Sequence, residues 1–218
     1  MLKVQERLPR KEREYRRHRD EILIAAESVF VREGYHAATV EQIARQAEFS
    51  VGTIYNFFEG KEDLYVRVLE RIALDFLDRL EKEVLSLADP RGAISALIEL
   101  RLEHYVLHRG FFRVFMATAR GSRLDPASAL PQSCTGLYDR YLEQVSGLVE
   151  RMIDGRSNRE GEADPLFLTF CLEGIINACT AYWAKNEEEK TLAVVVEKIK
   201  NAVFGFILGW SGSESKSR

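Results

Sequence analysis

The segment Ser50-Val51-Gly52-Thr53-Ile54-Tyr55-Asn56-Phe57-Phe58-Glu59-Gly60-Lys61-Glu62-Asp63-Leu64 constrains the chain more than any other. Ser50 is an N-cap type of residue, Val51, Ile54 and Phe58 recur on one helical face, and Gly60 supplies a left-handed position at which the helix stops. A second helix restarts at once at Lys61. A two-turn helix with an aromatic tip, closed by glycine and followed by a long helix, has the make-up of a DNA recognition helix ahead of a connector.

The residues upstream complete that pattern. Ile22, Ala25, Ala26, Val29 and Phe30 recur at helical spacing and predict a first helix that Glu33-Gly34 closes. Thr39 and Gln42 form a capping box, with Val40, Ile43, Ala44 and Ala47 as the apolar face of a short second helix. Phe49 and Ser50 break the periodicity between the second and third helices. Three helices in about 40 residues, the last two very short, spell a helix-turn-helix.

Charge is distributed unevenly around this segment. Residues 1–19 carry eight basic residues (Lys3, Arg7, Arg10, Lys11, Arg13, Arg16, Arg17, Arg19) and three acidic ones (Glu6, Glu12, Glu14), a local +5 in a chain of net charge −3. The simplest reading is a polyanion-seeking arm on an acidic body, with a solvated disordered tail as the alternative. The recognition segment Ser50 to Phe58 is itself uncharged, so phosphate neutralisation falls to the arm, Arg45 and Lys61. Arg13, Arg16, Arg17 and Arg19 are expected to add sequence-tolerant affinity, at the backbone or in the minor groove.

The rest of the 218 residues read as helical throughout. A connecting helix runs from Lys61 to about Leu87 through Leu64, Val68, Ile72, Phe76 and Leu80, and Asp89-Pro90 ends it. Ile94, Leu97, Ile98, Leu102 and Tyr105 mark the next, which His108-Arg109-Gly110 is expected to interrupt before Phe111, Phe112, Phe115 and Met116 begin another. A loop follows from Gly121 to Pro131, then a helix on Leu137, Tyr141, Val145, Leu148 and Met152, then a polar loop from Asp154 to Asp164. Two final helices carry the stripes Phe167, Phe170, Cys171, Gly174, Ala178, Ala181 and Leu192, Val195, Val196, Ile199, Val203, Phe206, Ile207, Trp210. Paired across a two-fold axis these would make a four-helix bundle; packed within one chain they would make a core. Without strand-like alternation the fold class is all-α, with about nine helices. The expected division is a basic arm at 1–18, a helix-turn-helix domain at 19–62, a helical ligand-binding and dimerisation domain at 63–210, and a polar tail at 211–218.

A composition of 46% hydrophobic and 30% charged residues is ordinary for a globular protein, and no run approaches the roughly 20 apolar residues that span a bilayer. The basic N-terminus lacks the apolar stretch of a secretory signal, and the odd set Cys134, Cys171 and Cys179 has no metal-binding or disulfide spacing. A cytoplasmic protein, with no membrane partner, is expected.

By these residues the chain resembles the TetR family of bacterial transcriptional regulators. The resemblance covers Ile22 to Leu69 and rests on Phe30-x3-Gly34-Tyr35, Ala38-Thr39-Val40-x2-Ile43-Ala44, Val51-Gly52-Thr53-Ile54-Tyr55-x-Phe57-Phe58 and Lys61-x-x-Leu64. It implies double-stranded operator DNA as partner, a homodimer, and a small-molecule effector bound by a divergent C-terminal domain. Carried over, Thr39 caps the second helix and bonds a phosphate, Ser50 caps the third, and Val51, Gly52, Thr53, Tyr55, Asn56 and Phe57 face the major groove or its edges. Lys61 grips a backbone phosphate. The hydroxyls of Thr53 and Tyr55 and the amide of Asn56, which can bond adenine bidentately, suit that task on their own chemistry. Phe57 stands where many members of the family carry His or Tyr, and either meets a thymine methyl or the sugar backbone, or packs. The dimer is expected on Phe167, Phe170, Gly174, Ala178, Val195, Val196, Ile199, Val203, Phe206 and Ile207.

For an effector the body offers Leu97, Arg101, His104, Tyr105, His108, Phe111, Phe112, Phe115, Met116, Tyr138, Tyr141, Asn177 and Trp183, a lining suited to an apolar or aromatic molecule, although each alone reads first as core and only a minority is expected to touch ligand. Arg101 with His104 and His108 could anchor a carboxylate or phosphate. His104-x3-His108 has metal-pair spacing without a nearby third ligand in sequence, so neither metal nor cofactor is expected. No Ser/His/Asp or Cys/His arrangement and no Gly-rich phosphate loop points to an enzyme. The leading reading is a ligand-released dimeric repressor on a palindromic operator; the competing one is a DNA-bound dimer that positions a protein partner.

Overall fold

The computed structural model describes residues 9–118, 130–154, 164–185 and 191–210. The expected loop from Gly121 to Pro131 falls mostly outside them, as do most of the Asp154–Asp164 loop, the polar tail and the first eight residues of the arm. The described residues contain no strand and eight α-helices: α1 Arg10–Ala37, α2 Val40–Gln46, α3 Val51–Phe57, α4 Lys61–Arg79, α5 Pro90–Thr118, α6 Gln132–Asp154, α7 Pro165–Ala184 and α8 Leu192–Trp210. A π-helical segment, Leu80–Leu85, continues α4 and keeps Leu80 and Val84 in the core.

The first helix begins twelve residues ahead of Ile22, so from Arg10 onward the charge run is an ordered helix rather than a disordered tail. Its composition explains this: Arg10–Glu14 and Glu12–Arg16 pair at 2.8 Å and Arg17–Glu21 at 3.5 Å, all at i, i+4 on good helix formers. Gly34 breaks the helical path at φ 76°, as predicted, and one further turn carries the chain to Ala37.

The predicted capping box is formed, with Gln42 N donating to Thr39 Oγ1 at 3.2 Å and Thr39 N donating to Gln42 Oε1 at 2.9 Å. Glu48 sits in the left-handed region at φ 59° and turns the chain from α2 to α3. Ser50 Oγ then accepts from Thr53 N at 3.0 Å and starts α3. Gly60 follows the helix in a positive-φ conformation that L side chains rarely adopt. The helix stops at Phe58, which is extended at φ −140°, and Gly60 lies at φ 156°.

The expected break at His108-Arg109-Gly110 is absent, and α5 runs through it as one helix of 29 residues. Asp89 caps its start, accepting from Arg91 N at 3.2 Å and Gly92 N at 2.9 Å, and Pro90 occupies a first-turn position where no amide is needed. Gly110 is there for space. A Cβ on it would lie 2.6 Å from Val31 Cγ1, so glycine lets α5 cross α1 at close range.

The chain divides into two compact units that do not follow the expected split at residue 62. Among the described residues, one comprises 9–72, 108–118 and 130–134, the other 73–107, 135–154, 164–185 and 191–210. In the first, Ile22, Leu23, Phe30, Ile43, Ile54, Leu64, Val68 and Phe111 are fully buried in one apolar cluster. In the second, Leu80, Ile94, Leu97, Ile98, Leu102, Val145, Leu172, Ile199 and Val203 form another.

Val31 is β-branched and stiff in a helix, so a methyl at Gly110 has no low-energy way to be accommodated. Gly110→Ala is expected to destabilise the protein by about 1–3 kcal/mol in urea unfolding, against the roughly 0.5–1 kcal/mol of stabilisation that Gly→Ala brings at an open helical site.

Candidate nucleic-acid interface and effector region

In α3 the inward side consists of Ile54, fully buried, and Phe58, 3% exposed, while Tyr55 is 55% exposed with Gly52 and Asn56 beside it in solvent. Thr53 is half-buried, and its hydroxyl shares a hydrogen bond with Ser50 Oγ at 2.8 Å. A Cβ at Gly52 would meet nothing nearer than Ser50 Oγ at 3.8 Å, so packing does not require a glycine there. Val51 packs at the edge of the core. Phe57 turns to the first helix, its ring centroid 4.7 Å from that of Tyr15.

The expected phosphate contacts are occupied by replaceable partners. Lys61 Nζ donates to the His36 carbonyl at 3.0 Å and lies 5.0 Å from the Tyr35 ring centre. Arg16 pairs with Glu12 and Arg17 with Glu21, both exposed pairs of the kind that contribute little in water. Arg19 lies 5.6 Å from the centre of the Phe58 ring, and Arg45 and Thr39 are exposed.

A carboxylate that sequence reasoning passed over joins three helices of the same unit. Glu27 of α1 lies 2.7 Å through Oε1 from His108 Nδ1 of α5, and its Oε2 accepts from Arg71 Nη2 of α4. In the same unit Phe30, Tyr35, Tyr65 and Phe111 form an aromatic cluster with centroids 4.8–6.3 Å apart, and Tyr65 OH meets Thr118 Oγ1 at 2.9 Å. Burial raises the pKa of Tyr65 and keeps it a neutral hydrogen-bonding phenol.

The residues expected to line an effector pocket are divided between the two units. His108, Phe112 and Phe115 belong to the first unit, where both phenylalanines pack against its core, and Met116 is 69% exposed. Arg101, His104, Tyr105, Tyr138, Tyr141, Asn177 and Trp183 belong to the other. There Arg101 Nη1 donates to Glu173 Oε2 and to Tyr141 OH, both at 2.8 Å, Nη2 donates to Asn177 Oδ1 at 2.7 Å, and Tyr141 OH donates to Glu173 Oε1. The expected anionic anchor is thus already neutralised from within the chain. Desolvation opposes the Arg101 charge, but Glu173 and Tyr141 outweigh it and hold its pKa above the ordinary guanidinium value. Burial pushes the Tyr141 phenol well up, and the Glu173 charge adds to it. His104 packs edge-on against Phe76 at 5.0 Å, and Tyr105 tilts against Trp183 at 6.2 Å.

Glu173 was absent from the expected site although the sequence flags it. It is the one charged residue in the twenty of α7, and a lone carboxylate in so apolar a helix must find a partner. An open groove of about 550 Å³ is lined by Asp139, Leu142, Glu143, Ser146, Gly147, Glu150 and Leu166, none of them among the expected residues. Cys134 is buried, and burial raises its thiol pKa away from the reactive thiolate.

The expected dimer residues separate by helix. On α7, Phe167 and Phe170 are 49% and 52% exposed, and Gly174 and Ala178 continue that outward stripe. On α8, Val195, Val196, Ile199 and Val203 face the opposite way from what was expected and are buried in the core of their own chain. Phe206 packs partly against that core, and the side chain of Ile207 lies outside the described residues. Contrary to the composition reading, α7 is long and apolar enough, at a mean hydropathy of 1.3, to cross a membrane. Its buried Leu168, Leu172, Ile176 and Trp183 and the paired Glu173 identify it instead as a core helix with one uncovered face.

Residues 22–68 match the family described as "Bacterial regulatory proteins, tetR family". Over 182 residues the chain is 25% identical to the fatty acid metabolism regulator protein of Bacillus subtilis, covering 82% of this chain and 90% of that one. It is 39% identical over 98 residues, 45% of this chain and 46% of the relative, to the HTH-type transcriptional repressor NicS of Pseudomonas putida. The structure of the transcriptional regulator FadR from B. subtilis in complex with stearoyl-CoA superposes with a TM-score of 0.70 at 23% identity, over 84% of this chain and 96% of that one, which shows a shared fold.

The Arg101–Glu173 pair generates a stability prediction. Glu173→Ala strands a guanidinium whose side chain is only 22% exposed and should cost about 3 kcal/mol, the low end for a broken buried pair because Arg101 keeps some water. The double replacement Arg101→Met, Glu173→Leu should recover most of that loss in the same thermal unfolding series.

Proposed function

We propose that this chain, a transcriptional regulator of the TetR family, is a homodimeric repressor that reads a palindromic operator with α3 and is released by a long-chain acyl thioester. The observation that carries the DNA reading is the outer face of α3. An N-capped two-turn helix holds Gly52, Tyr55 and Asn56 out in solvent, without charge, and with a bare backbone at its second residue. The fold has no need of that bare backbone. Close approach of a major-groove edge does.

Two identical heads on an inverted repeat require a two-fold contact, and the uncovered α7 face Phe167, Phe170, Gly174, Ala178 supports one there. Small residues on it let helix backbones approach, and the adjoining phenylalanines supply apolar area. The effector class is supported by the fatty acid metabolism regulator relative and by the stearoyl-CoA bound to the FadR structure. An apolar tail also suits a body in which the buried Arg101–Glu173 pair is neutralised internally. Such a ligand acts only through a difference in affinity between the DNA-bound and released conformations. DNA as target places the protein in the cytoplasm.

Selection of bound duplexes from a random library, run beside a Tyr55→Ala, Asn56→Ala variant, tests the reading. An inverted repeat enriched by the parent and lost in the variant is expected, and stearoyl-CoA should weaken binding of the enriched duplex by tenfold or more. Enrichment of single half-sites, or indifference to the variant, would overturn it. Gly52→Ala should separate folding from function, leaving stability equal or about 0.5–1 kcal/mol higher while operator affinity falls. Phe170→Glu should convert the dimer to monomer in sedimentation and remove high-affinity operator binding.

A further inference from the structure

The first helix extends three turns ahead of the core-facing stripe that begins at Ile22, and those turns touch the reading head at three places. Tyr15 stacks on Phe57 with centroids 4.7 Å apart and planes at 30°, His18 meets Phe49 edge-on at 5.2 Å, and the Arg19 guanidinium lies 5.6 Å from the Phe58 ring centre. Residues 15, 18 and 19 share the helical face of the buried Ile22 and Ala26, so these contacts prolong the packing stripe. Their targets bracket α3: Phe49 precedes its N-cap, Phe57 is its last residue and Phe58 its C-cap.

We propose that the helical extension Arg10–Arg19 is a positioning element for the recognition helix, so that the sequence preference of DNA binding, and not only its strength, depends on the Tyr15–Phe57 contact. The proposal rests on the reading of α3 as the recognition helix. Seven residues cannot hold a helix by themselves, and α3 has one fully buried side chain, Ile54, at its centre. Its ends are therefore aimed by what packs on them. Bidentate contacts from the neighbouring Asn56 tolerate little misalignment, so a loosened end relaxes base readout before it removes phosphate contacts.

Three other cations of the extension occupy a different face. Arg10, Arg13 and Arg17, with Glu14, line an open groove of about 350 Å³ and lie across the helix from Tyr15. A helix some 10–12 Å wide does not enter a minor groove about 6 Å wide, so from Arg10 onward the extension meets phosphates rather than base edges. The aiming contact of Tyr15 and the charges of Arg13 and Arg17 are thus carried by separate side chains, which makes them separately testable.

The full chain and its Tyr15→Ala, Tyr15→Phe and Arg13→Ala, Arg17→Ala variants are titrated against the selected operator and a scrambled duplex of equal length over a range of salt. Tyr15→Ala should weaken operator binding about tenfold, leave scrambled binding and the salt slope unchanged, and so lower the specificity ratio about tenfold. Tyr15→Phe, which keeps the ring, should match the parent. The arginine pair should weaken both duplexes together and reduce the salt slope by about one to two. Equal loss on both duplexes with Tyr15→Ala, or none, would overturn the proposal. Amide exchange without DNA supplies a second decision. Residues 49–58 should exchange about tenfold faster in Tyr15→Ala and normally in Tyr15→Phe, and unchanged exchange would overturn the clasp whatever the DNA result. A parent without operator preference but with the exchange effect would sink the recognition-helix reading and with it the claim on specificity, leaving only a structural clasp.

Discussion

A helix of two turns is unstable in isolation, and everything in the reading head follows from the need to hold one. The nucleation cost of α3 is met from outside it: Ser50 satisfies a first-turn amide, Ile54 plugs the core, and aromatic rings close both ends. The residue at φ 59° that turns the chain into it is a glutamate, so part of that organisation carries a cost in backbone strain at Glu48. Such strain persists only where the surroundings over-determine the conformation, and the capping box on α2 and the core beneath Ile43 and Ile54 provide that.

Each compact unit places a carboxylate where three helices meet. Glu27 joins α1 to Arg71 of α4 and His108 of α5; Glu173 of α7 joins Arg101 of α5 and Tyr141 of α6. Apolar side chains in these positions would stabilise the protein at least as well, so the polar junctions are better understood as fixing geometry than as adding stability. An apolar contact tolerates sliding; a shared carboxylate does not.

What the sequence revealed and what it concealed divide by the range of the interactions. The capping box and the Gly34 break depend on residues within four of one another, and both were legible. The Gly110 reading failed because its cause is Val31, 79 residues upstream: a glycine that looks like a helix stop locally is a gap left for another helix. The α8 stripe failed for a related reason. Periodicity announces an apolar face without saying what covers it, and Val195, Val196, Ile199 and Val203 are covered by their own chain. Arg101 read as a ligand anchor because its partner Glu173 lies 72 residues away. The extension of α1 was the one local feature misjudged, where charge was weighed ahead of the i, i+4 pairing that folds it.

That pairing bears on how affinity and selectivity are distributed. Counterion release makes phosphate contacts strong but indifferent to sequence, and a recognition helix rich in Lys or Arg would bind every duplex tightly enough to blur its choice. Here α3 carries no charge at all, and the cations stand on α1, on α2 at Arg45 and at the head of α4. Their partners in the free protein are exposed carboxylates or a carbonyl, which phosphate oxygens can replace at small cost, so the electrostatic contribution is available without prior rearrangement of α3. The Tyr15, His18 and Arg19 contacts then have a physical rationale beyond packing. A rigid arm keeps the charged and the uncharged elements at a fixed spacing, so that when one grips the phosphates the other is brought to bear on base edges in a single register.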